Sequence, residues 1–272
     1  MTIGLSISLV VYNLDRKLLG ETLHSLNIAV SHAQQLIPLS HCFLTVVDNS
    51  KGKNSHEVKS LLNDYWTTDF TLLNAGKNLG YGLGHNMAIE ARCDDFHLVI
   101  NPDVIVDKQA IVEAIRYLQK TPTVGMITPA TCKPNGEKEY LCKDYPSVFI
   151  LMMRGFAPQF LRNLFKKKLA KYELQGITES DVCDNIVISS GCFMFFNRSA
   201  LQSVKGFCGN FFLYFEDFDL ALRLNQSSKI AYLPNVKIIH YGGNTANKGL
   251  RHVFLFVRSA IIFFNRHGWR FW

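Results

Sequence analysis

Three carboxylates, Glu216, Asp217 and Asp219, lie in the otherwise apolar and aromatic segment FFLYFEDFDLALRL, and no acidic residue follows them in the chain. Removing ionised carboxylates from water costs free energy, and acids that bear this cost are concentrated at catalytic and binding sites. Any one of them has a simpler explanation, since Asp217 or Asp219 can cap a helix that begins there and Asp219 can pair with Arg223 one turn later. We expect the three together to perform chemistry.

A candidate metal site is indicated by the segment INPDVIV, which places Asp103 at the end of an apolar strand where Pro102 turns the chain outward. Mg²⁺ and Mn²⁺ usually take one or two protein carboxylates together with phosphate oxygens of a substrate. His240, at the end of VKIIH, is a candidate nitrogen ligand, although a histidine that ends a strand is more often structural. The expected site therefore combines Asp103, His240 and a bound diphosphate.

A glycine-rich stretch, AGKNLGYGLGHN (residues 75–86), follows a predicted strand and opens a predicted helix. In that position glycines allow backbone amides to approach a phosphate group closely. The stretch is not a Walker loop, because it has no GK[ST], and its glycines read GxGxG where a dinucleotide fingerprint needs GxGxxG. A dinucleotide site would also more naturally follow the first strand, so we interpret the stretch as a binding loop for another phosphate-containing ligand.

The elements that must position these residues alternate between strand and helix over the first hundred residues. Strands are predicted at ISLVVY, CFLTVVDNS, FTLLN and FHLVINPDVIV, and helices at about 18–35, 56–65 and 84–92. This alternation is typical of an α/β fold with a mainly parallel central sheet flanked by helices, which binds ligands beyond the carboxyl ends of its strands. Polar residues stand at those ends: Tyr12 and Asn13, Asp48 to Ser50, Asn74, and Asn101 to Asp103.

The second half is less regular, with strand signals only at NIVISSGCFMFFN and KIAYLPNVKIIHY. Before both of them lies a basic stretch with aromatic and methionine residues, at 151–173. We interpret it as an amphipathic helix or a mobile loop near an acceptor or a membrane, with a plain solvated helix as the alternative. Neither repeats nor low-complexity linkers are evident, so we expect one domain over residues 1–248 and a C-terminal helix or tail over 249–272.

Composition restricts the class of protein. The 272 residues are 48% hydrophobic, enough for a large core, and the seven cysteines are scattered without a CxxC pair. Such cysteines are typical of reduced thiols in the cytosol. The N-terminus reads as a buried strand rather than a signal peptide, and no window offers about 18 uninterrupted apolar residues for a membrane span. We expect a cytoplasmic protein.

The positive charge is concentrated at the C-terminal end. Eight Lys and Arg residues and no acid follow Asp219. The residues after Asp219 therefore carry a charge of +8, the rest of the chain sums to −1, and the whole chain has a net charge of +7. The interleaved aromatics of residues 249–272 favour binding to an anionic membrane surface. One alternative is a helix packed on the core with its arginines reaching solvent. Another is a nucleic-acid-binding tail, which the apolar runs VFLFV and AIIFF make less favourable.

Taken in order, these segments resemble the inverting family 2 glycosyltransferases of GT-A fold, and within them the bacterial rhamnosyltransferases of O-antigen and surface-polysaccharide assembly. The resemblance covers roughly residues 5 to 245, and its specificity lies in the ordered set rather than in any one segment. The matching segments are SLVVYN, VVDNS, NLGYGLGHN, INPD, SGCFMF, FLYFEDFDLALRL and IIHYGG.

The resemblance implies roles for individual residues. It assigns Asp48 to the nucleotide base of a nucleotide sugar, and Asn78, Gly82 and Asn86 to its diphosphate and sugar. The strand-end residues Tyr12, Asn13 and Asn101 are expected to line the same site. Asp103 falls at the metal-binding aspartate of the family's DxD motif, and Asp217 at the general base, with Glu216 and Asp219 orienting the base or the acceptor. Asn101 replaces the first DxD aspartate, which weakens a metal site unless His240 compensates.

The function implied by the resemblance is transfer of a sugar with inversion at the anomeric carbon, assisted by Mg²⁺ or Mn²⁺. The implied donor is dTDP-L-rhamnose, and the implied acceptor a saccharide on a polyprenyl diphosphate. Residues 1–106 would form the nucleotide-sugar half and 107–248 the acceptor half, on an enzyme bound peripherally to the inner face of the cytoplasmic membrane. Donors carrying galactofuranose, glucose or N-acetylhexosamine stay open, as does a nucleotidyltransferase of the same α/β framework.

Overall fold

The computed structural model describes residues 2–176, 181–242 and 249–272. The strands are β1 (Ile3–Val11), β2 (Leu39–Asp48), β3 (Asp69–Asn74), β4 (Phe96–Ile100), β5 (Val104–Val106), β6 (Val124–Cys132), β7 (Lys138–Glu139), β8 (Cys142–Lys143), β9 (Ile188–Ser189), β10 (Phe193–Asn197) and β11 (Lys229–His240). The helices are α1 (Arg16–Leu36), α2 (Ser55–Tyr65), α3 (Tyr81–Ala91), α4 (Ala110–Lys120), α5 (Val148–Gly155), α6 (Gln159–Leu164), α7 (Lys166–Tyr172), α8 (Arg198–Ser203), α9 (Glu216–Leu224) and α10 (Leu250–His267).

One mixed sheet forms the centre of the molecule, in the order β3-β2-β1-β4-β10-β6-β11-β5, with β7 paired to β6. The first four strands are parallel, as the sequence predicted, and their register aligns Val11 with Asp48 and Asp48 with Asn74. The carboxyl ends of β1 to β4 therefore meet at one edge of the sheet. The predicted α/β architecture with a mainly parallel sheet is confirmed.

The second half completes that edge by reversing direction. Strand β10 runs antiparallel to β4 with Phe193 opposite Ile100, so the residues before β10 lie at the same edge as those after β4. Strand β11 runs parallel to β6 and antiparallel to β5, which places His240 opposite Val104. This reversal brings His240 next to Asp103, 137 positions earlier in the chain.

The sheet separates two apolar clusters, and β10 contributes to both. Phe193 and Phe195 join the cluster beneath α1, α2 and α4, whereas Met194 and Phe196 join the cluster beneath α8, α9 and α10. This follows from the two-residue period of a strand, which points successive side chains to opposite faces. A run such as CFMFF, apolar at every position, is what a strand covered on both faces requires.

Polar side chains also enter this core, in a chain of hydrogen bonds across β1, β4 and α3. Ser6 Oγ lies 2.8 Å from His97 Nδ1, His97 Nε2 lies 3.0 Å from Ser8 Oγ, and Ser8 Oγ lies 2.8 Å from His85 Nδ1. All four residues are buried. Burial disfavours the charged imidazolium, and it lowers the pKa of both His85 and His97 to about 3.

The segment 151–173 forms the three short helices α5, α6 and α7, with the first break at Gly155 and Pro158. The predicted C-terminal helix is present as α10, and its inner face packs on the core through Phe263 and Phe264. Core packing was the alternative to membrane binding for this helix, and it is observed for the inner face. The predicted domain boundary at residue 248 lies outside the described residues. Within the described ranges, no helix is both long and apolar enough to span a bilayer.

The buried histidines predict a pH dependence of stability. Their folded-state pKa values lie below the ordinary value, so as pH falls the unfolded chain takes up protons first. Stability from this source is complete above about pH 6.5 and is lost below it, at up to about 1.4 kcal/mol per pH unit for each histidine.

Because carboxyl groups titrate in the same range, the variant His97→Asn isolates the histidine. Urea unfolding between pH 7.5 and pH 4.5 should give a shallower loss of stability with acid for the variant, by about one proton. Equal slopes for the two proteins would contradict a buried, neutral His97.

Candidate active site

The first turn of α9 is preceded by a backbone reversal that few residues adopt. Tyr214 has φ 70° and Phe215 has φ 65°, both in the left-handed region although neither is glycine. Such conformations cost about 1–3 kcal/mol each and persist where surrounding structure enforces them. Here Ser259 of α10 donates to the carbonyl of Leu213 at 2.8 Å, and His252 lies 2.8 Å from the Tyr214 hydroxyl. Helix α10 thus holds the reversal that positions Glu216 and Asp217.

Asp217 is half-buried, and two backbone amides hold its carboxylate. The N–H of Gly191, just before β10, donates to Oδ2 at 2.9 Å, and the N–H of Phe218 donates to Oδ1 at 3.0 Å. Burial raises the pKa of Asp217, and these two hydrogen bonds partly offset the increase. A carboxylate with a raised pKa is a better proton acceptor than one in water, as a general base requires.

Glu216 is only 5% exposed, and its Oε2 atom has no hydrogen-bond partner among the described residues. Burial, and after it the charge on Asp217, raises the pKa of Glu216. Two adjacent buried carboxyl groups do not ionise independently, because each negative charge disfavours the other. The pair therefore favours one shared arrangement, with the proton on Glu216 and the charge on Asp217.

Asp219 is fully buried and faces α10. Its carboxylate accepts from Arg223 at 2.8 Å, and it lies 3.0 Å from Arg266 Nε and 2.8 Å from His267 Nε2. These partners occupy both of its oxygens. The structure thus brings Glu216 and Asp217 together but turns Asp219 the other way, where it ties α9 to α10. A direct role for Asp219 at the acceptor stays a prediction, and the observed contacts give it a positioning role.

Tyr81, which the sequence did not single out, links the acid pair to Asp103. Its hydroxyl donates to the carbonyl of Gly191, whose N–H in turn holds Asp217. Burial raises the pKa of Tyr81 far above the usual value, and the charges on Asp217, Glu216 and Asp103 add to the increase. Tyr81 therefore stands among the three carboxylates. Its only sequence signal was an aromatic residue inside a glycine-rich loop.

Asp103 and His240 lie together, as the sequence predicted, with 3.7 Å between Oδ1 and Nε2. Glu139 of β7 accepts a hydrogen bond from His240 Nδ1 at 2.9 Å, an arrangement that fixes the ring and directs Nε2 toward Asp103. Burial lowers the pKa of His240, but the hydrogen bond to Glu139 and the charge on Asp103 together raise it by more, so that the pKa is raised overall. Sequence reasoning missed Glu139, which lies in an irregular segment a hundred residues away.

This cluster has the donor atoms that a divalent cation requires. Asn101 Oδ1 and Asp103 Oδ1 are both buried without a hydrogen-bond partner among the described residues. Gly242 leaves the approach open, because a Cβ there would lie 2.5 Å from His240 Nε2 and 3.0 Å from Asp103 Oδ2. In the described ranges no group of three His, Cys, Asp or Glu side chains is arranged as a complete metal site. The residues fit Mg²⁺ or Mn²⁺ when substrate oxygens complete the shell.

At the ends of β1 and β2, Tyr12 and Asn13 are exposed, whereas Asp48 is fully buried. Asp48 accepts from the N–H and hydroxyl of Ser50 through Oδ1 and from Ser55 through Oδ2. Burial raises the pKa of Asp48, but these hydrogen bonds lower it by more. In this conformation Asp48 shapes the loop after β2, while Tyr12 presents a free ring. Contact between Asp48 and a base stays a prediction.

The glycine loop is packed against protein more tightly than a free phosphate loop. A Cβ on Gly82 would lie 2.7 Å from the Cβ of Phe207. Both ends of the Asn86 side-chain amide bond to the backbone of Phe207. Asn86 Oδ1 accepts from the Phe207 N–H and Asn86 Nδ2 donates to the Phe207 carbonyl, each at 2.8 Å. Asn78 accepts from the N–H of Gly80 and closes a turn. These contacts let α3 approach the segment before α9. Contact of Asn78, Gly82 and Asn86 with a diphosphate stays a prediction.

Comparison with known proteins places the chain in a family. The profile described as "Glycosyltransferase like family 2" matches residues 5–252. Rhamnosyltransferase WbbL of Escherichia coli K12 is 26% identical over 210 residues, covering 74% of this chain and 73% of that protein. An N-acetylglucosaminyl-diphospho-decaprenol L-rhamnosyltransferase of Mycobacterium tuberculosis is 27% identical over 214 residues, covering 73% of this chain and 68% of that protein.

A solved structure supports the fold independently. The mannosyltransferase PcManGT of Pyrobaculum calidifontis, solved in complex with GDP-Man and Mn²⁺, superposes with a TM-score of 0.61 at 15% identity. The match covers 90% of this chain and 58% of PcManGT, so the chain spans little more than half of that protein. At this identity the likeness concerns the fold, and it confirms the predicted GT-A architecture.

The packing of Gly82 yields a prediction. Gly82→Ala places a methyl group against Phe207 and should destabilise the protein by about 1–3 kcal/mol, as overpacking does. The matched control is Gly155→Ala, where nothing lies within 4 Å of the added Cβ. Urea unfolding should separate the two variants. A Gly82→Ala protein as stable as Gly155→Ala, but with weakened nucleotide-sugar binding, would show that the glycine serves the ligand rather than the packing.

Proposed function

The chain belongs to glycosyltransferase-like family 2 and is a glycosyl-transferring enzyme, and we propose that it moves L-rhamnose from dTDP-L-rhamnose to a lipid-linked saccharide, with inversion, in surface-polysaccharide biosynthesis. The observation that carries the proposal is that two features lie at the same sheet edge. One is Asp217, a carboxylate of raised pKa held by backbone amides, and the other is the cluster of Asp103 and His240. The rhamnose and the lipid-linked acceptor rest on the names of the two relatives, which are rhamnosyltransferases.

On the donor side, Asp103 and His240 would hold Mg²⁺ or Mn²⁺, with Asn101 as a weaker oxygen ligand and Glu139 orienting His240. When bound, the cation neutralises negative charge on the diphosphate leaving group. Tyr12 offers a ring for stacking on the nucleotide base, beside Asn13. Asn78, Gly82 and Asn86 keep α3 and its preceding loop in place beneath the diphosphate.

On the acceptor side, Asp217 takes the proton of the attacking hydroxyl. The hydroxyl oxygen forms a bond to the anomeric carbon from the face opposite the diphosphate, the bond from that carbon to the diphosphate oxygen breaks, and dTDP leaves with the electron pair. A single displacement of this kind inverts the anomeric configuration. Glu216 retains its own proton, so that the negative charge needed for the step resides on Asp217.

Two alternative reactions can be distinguished from the proposed one by experiment. A donor carrying galactofuranose, glucose or an N-acetylhexosamine fits the same cluster, because no contact among the described residues distinguishes a 6-deoxy sugar from these sugars. A nucleotidyltransferase would release pyrophosphate from a nucleoside triphosphate, whereas the proposed reaction releases a nucleoside diphosphate. Turnover of a panel of nucleotide sugars with and without Mn²⁺, followed by the released nucleotide, separates these alternatives.

Two variants of the acid pair test the assignment of the base. Asp217→Asn removes the proton acceptor and should lower kcat by about 10²- to 10⁴-fold. Glu216→Gln replaces a carboxyl that already carries a proton with an amide of the same shape, and it should keep most of the activity. Transfer is measured as dTDP release in the presence of acceptor, and the product linkage by NMR.

The reverse ranking of these two variants would move the base to Glu216. Unchanged transfer in excess EDTA would remove the cation from the proposal. A product with retained anomeric configuration would exclude the single displacement.

The outer face of α10 supports the further proposal that the enzyme binds peripherally to an anionic membrane. Leu250 is 87% exposed and Phe254 is 67% exposed, and the exposed Val253, Val257 and Ile261 continue the same stripe at helical spacing. Arg251 and Arg258 lie along one flank of this stripe. Apolar residues in a stripe facing solvent, flanked by arginines, are what a bilayer surface with anionic headgroups binds.

Vesicle sedimentation tests this surface. The double variant Leu250→Ser/Phe254→Ser should bind vesicles containing phosphatidylglycerol at least about tenfold more weakly, because each buried side chain contributes about 1.5–3 kcal/mol. Ile28→Ser, which removes an exposed apolar side chain from α1, is the control and should bind like the wild type. Equal binding of the double variant, or equal binding to pure phosphatidylcholine, would contradict the proposal.

A further inference from the structure

Helices α5, α6 and α7 enclose a cleft of about 450 Å³ on the acceptor half of the protein. Its charged lining consists of Arg154, Arg162, Lys166 and Glu173, together with amide side chains such as Asn163. Three positive charges therefore face one negative charge. An open cleft with this excess is suited to an anionic group.

The single acid is already neutralised within the protein. Glu173 Oε1 lies 3.0 Å from Arg154 Nε and 3.8 Å from Lys143 Nζ. Arg162 donates to the carbonyls of Met153 and Arg154, which fixes its guanidinium at the end of α5. Lys166 has no ion pair within the described ranges, and it is exposed. The net positive charge is thus available to a ligand and held on an ordered frame.

An apolar ridge runs along the same helices. Met152, Phe156, Phe160 and Leu164 are between 56% and 73% exposed. These four residues, the apolar ridge, lie on α5, in the turn after it and on α6, next in sequence to residues that line the cleft. Large apolar side chains grouped in this way on a surface usually mark a binding site. A ligand that satisfies both features has an anionic group joined to an apolar chain.

The cleft is connected to Asp217 through a short series of contacts. Tyr172, the last residue of α7, packs against Arg154 with 5.5 Å between the guanidinium and the ring centre, and its carbonyl accepts from the N–H of Asp144 at 2.8 Å. Asp144 directly follows β8, which pairs with β9, and β9 leads through Ser190 to Gly191. Burial raises the pKa of Tyr172, and the charge on Asp217 adds to the increase. The cleft is therefore linked, through one backbone hydrogen bond and the pairing of β8 with β9, to the segment that holds Asp217.

We infer that the cleft of α5–α7 binds the diphosphate of the lipid-linked acceptor, with the lipid chain lying along the ridge from Met152 to Leu164. The inference rests on the proposed function for the identity of the acceptor, and on the cleft itself for the chemistry of diphosphate and lipid. Arg162 and Lys166 supply charge-assisted hydrogen bonds to the phosphate oxygens. Anchoring the diphosphate here directs the saccharide toward Asp217.

Direct binding of farnesyl diphosphate to the full-length chain tests the inference without any transfer reaction. Lys166→Glu reverses a charge that is exposed and unpaired within the described ranges, and it should weaken binding at least about tenfold, as loss of a charge-assisted contact does. Arg116→Glu, an exposed position on α4, is the matched control and should bind like the wild type. Asp103→Asn should also bind like the wild type, since it alters only the donor side.

Farnesol, which has the chain without the diphosphate, should bind at least about tenfold more weakly than farnesyl diphosphate. Weakened binding in Asp103→Asn with unchanged binding in Lys166→Glu would place the diphosphate at the donor site and overturn the inference. Equal binding of farnesol and farnesyl diphosphate would also overturn it. Inorganic phosphate that displaces the probe as effectively as pyrophosphate would indicate a site for a single phosphate group, against the inference. If the cleft binds as expected but dTDP-L-rhamnose is not a donor, only the proposed donor fails.

Discussion

The left-handed pair Tyr214 and Phe215 is the constraint on which the rest of the site depends. Two non-glycine residues in this conformation turn the chain so that α9 begins with Glu216 and Asp217 at the sheet edge. Helix α10 stabilises the turn from one side through Ser259 and through the ion pairs of Asp219. Helix α3 supports it from the other, where the N–H of Tyr81 donates to the carbonyl of Phe212. The contacts from α10 and α3 thus hold the strained turn from both sides.

The contacts of α3 also join the two halves of the chain. Tyr81 belongs to the N-terminal half of the chain, yet its hydroxyl donates to the carbonyl of Gly191, whose N–H donates to Asp217 in the C-terminal half. Asn86 and Gly82 bring α3 against Phe207 in the same way. The glycine-rich stretch and Asp217 are therefore joined through packed, hydrogen-bonded groups. Helix α10 carries the proposed membrane surface on its opposite face, so the same helix would align the base with a lipid-linked acceptor.

Much of the fold was predictable because alternating strand and helix periods specify a parallel sheet, and the polar strand ends at Tyr12, Asp48 and Asn101 then share an edge. The pairing of Asp103 with His240 was also predicted. Contacts made through irregular segments were not: Glu139 reaches His240 across a hundred residues, and Tyr81 reaches Gly191 across 110. The direction of Asp219 could not be predicted either, since both faces of α10 are apolar and the sequence does not say which one packs on α9.

In the proposed reaction Asp217, made more basic by burial, removes the acceptor proton. The pH dependence of kcat/KM for sugar transfer tests this role, because the acidic limb reports the ionisation of the essential base in the free enzyme. Activity should fall with acid through a midpoint clearly above about 4, the ordinary value for a carboxyl group. An acidic limb at or below that value, or a rate independent of pH between about 4 and 8, would contradict the account.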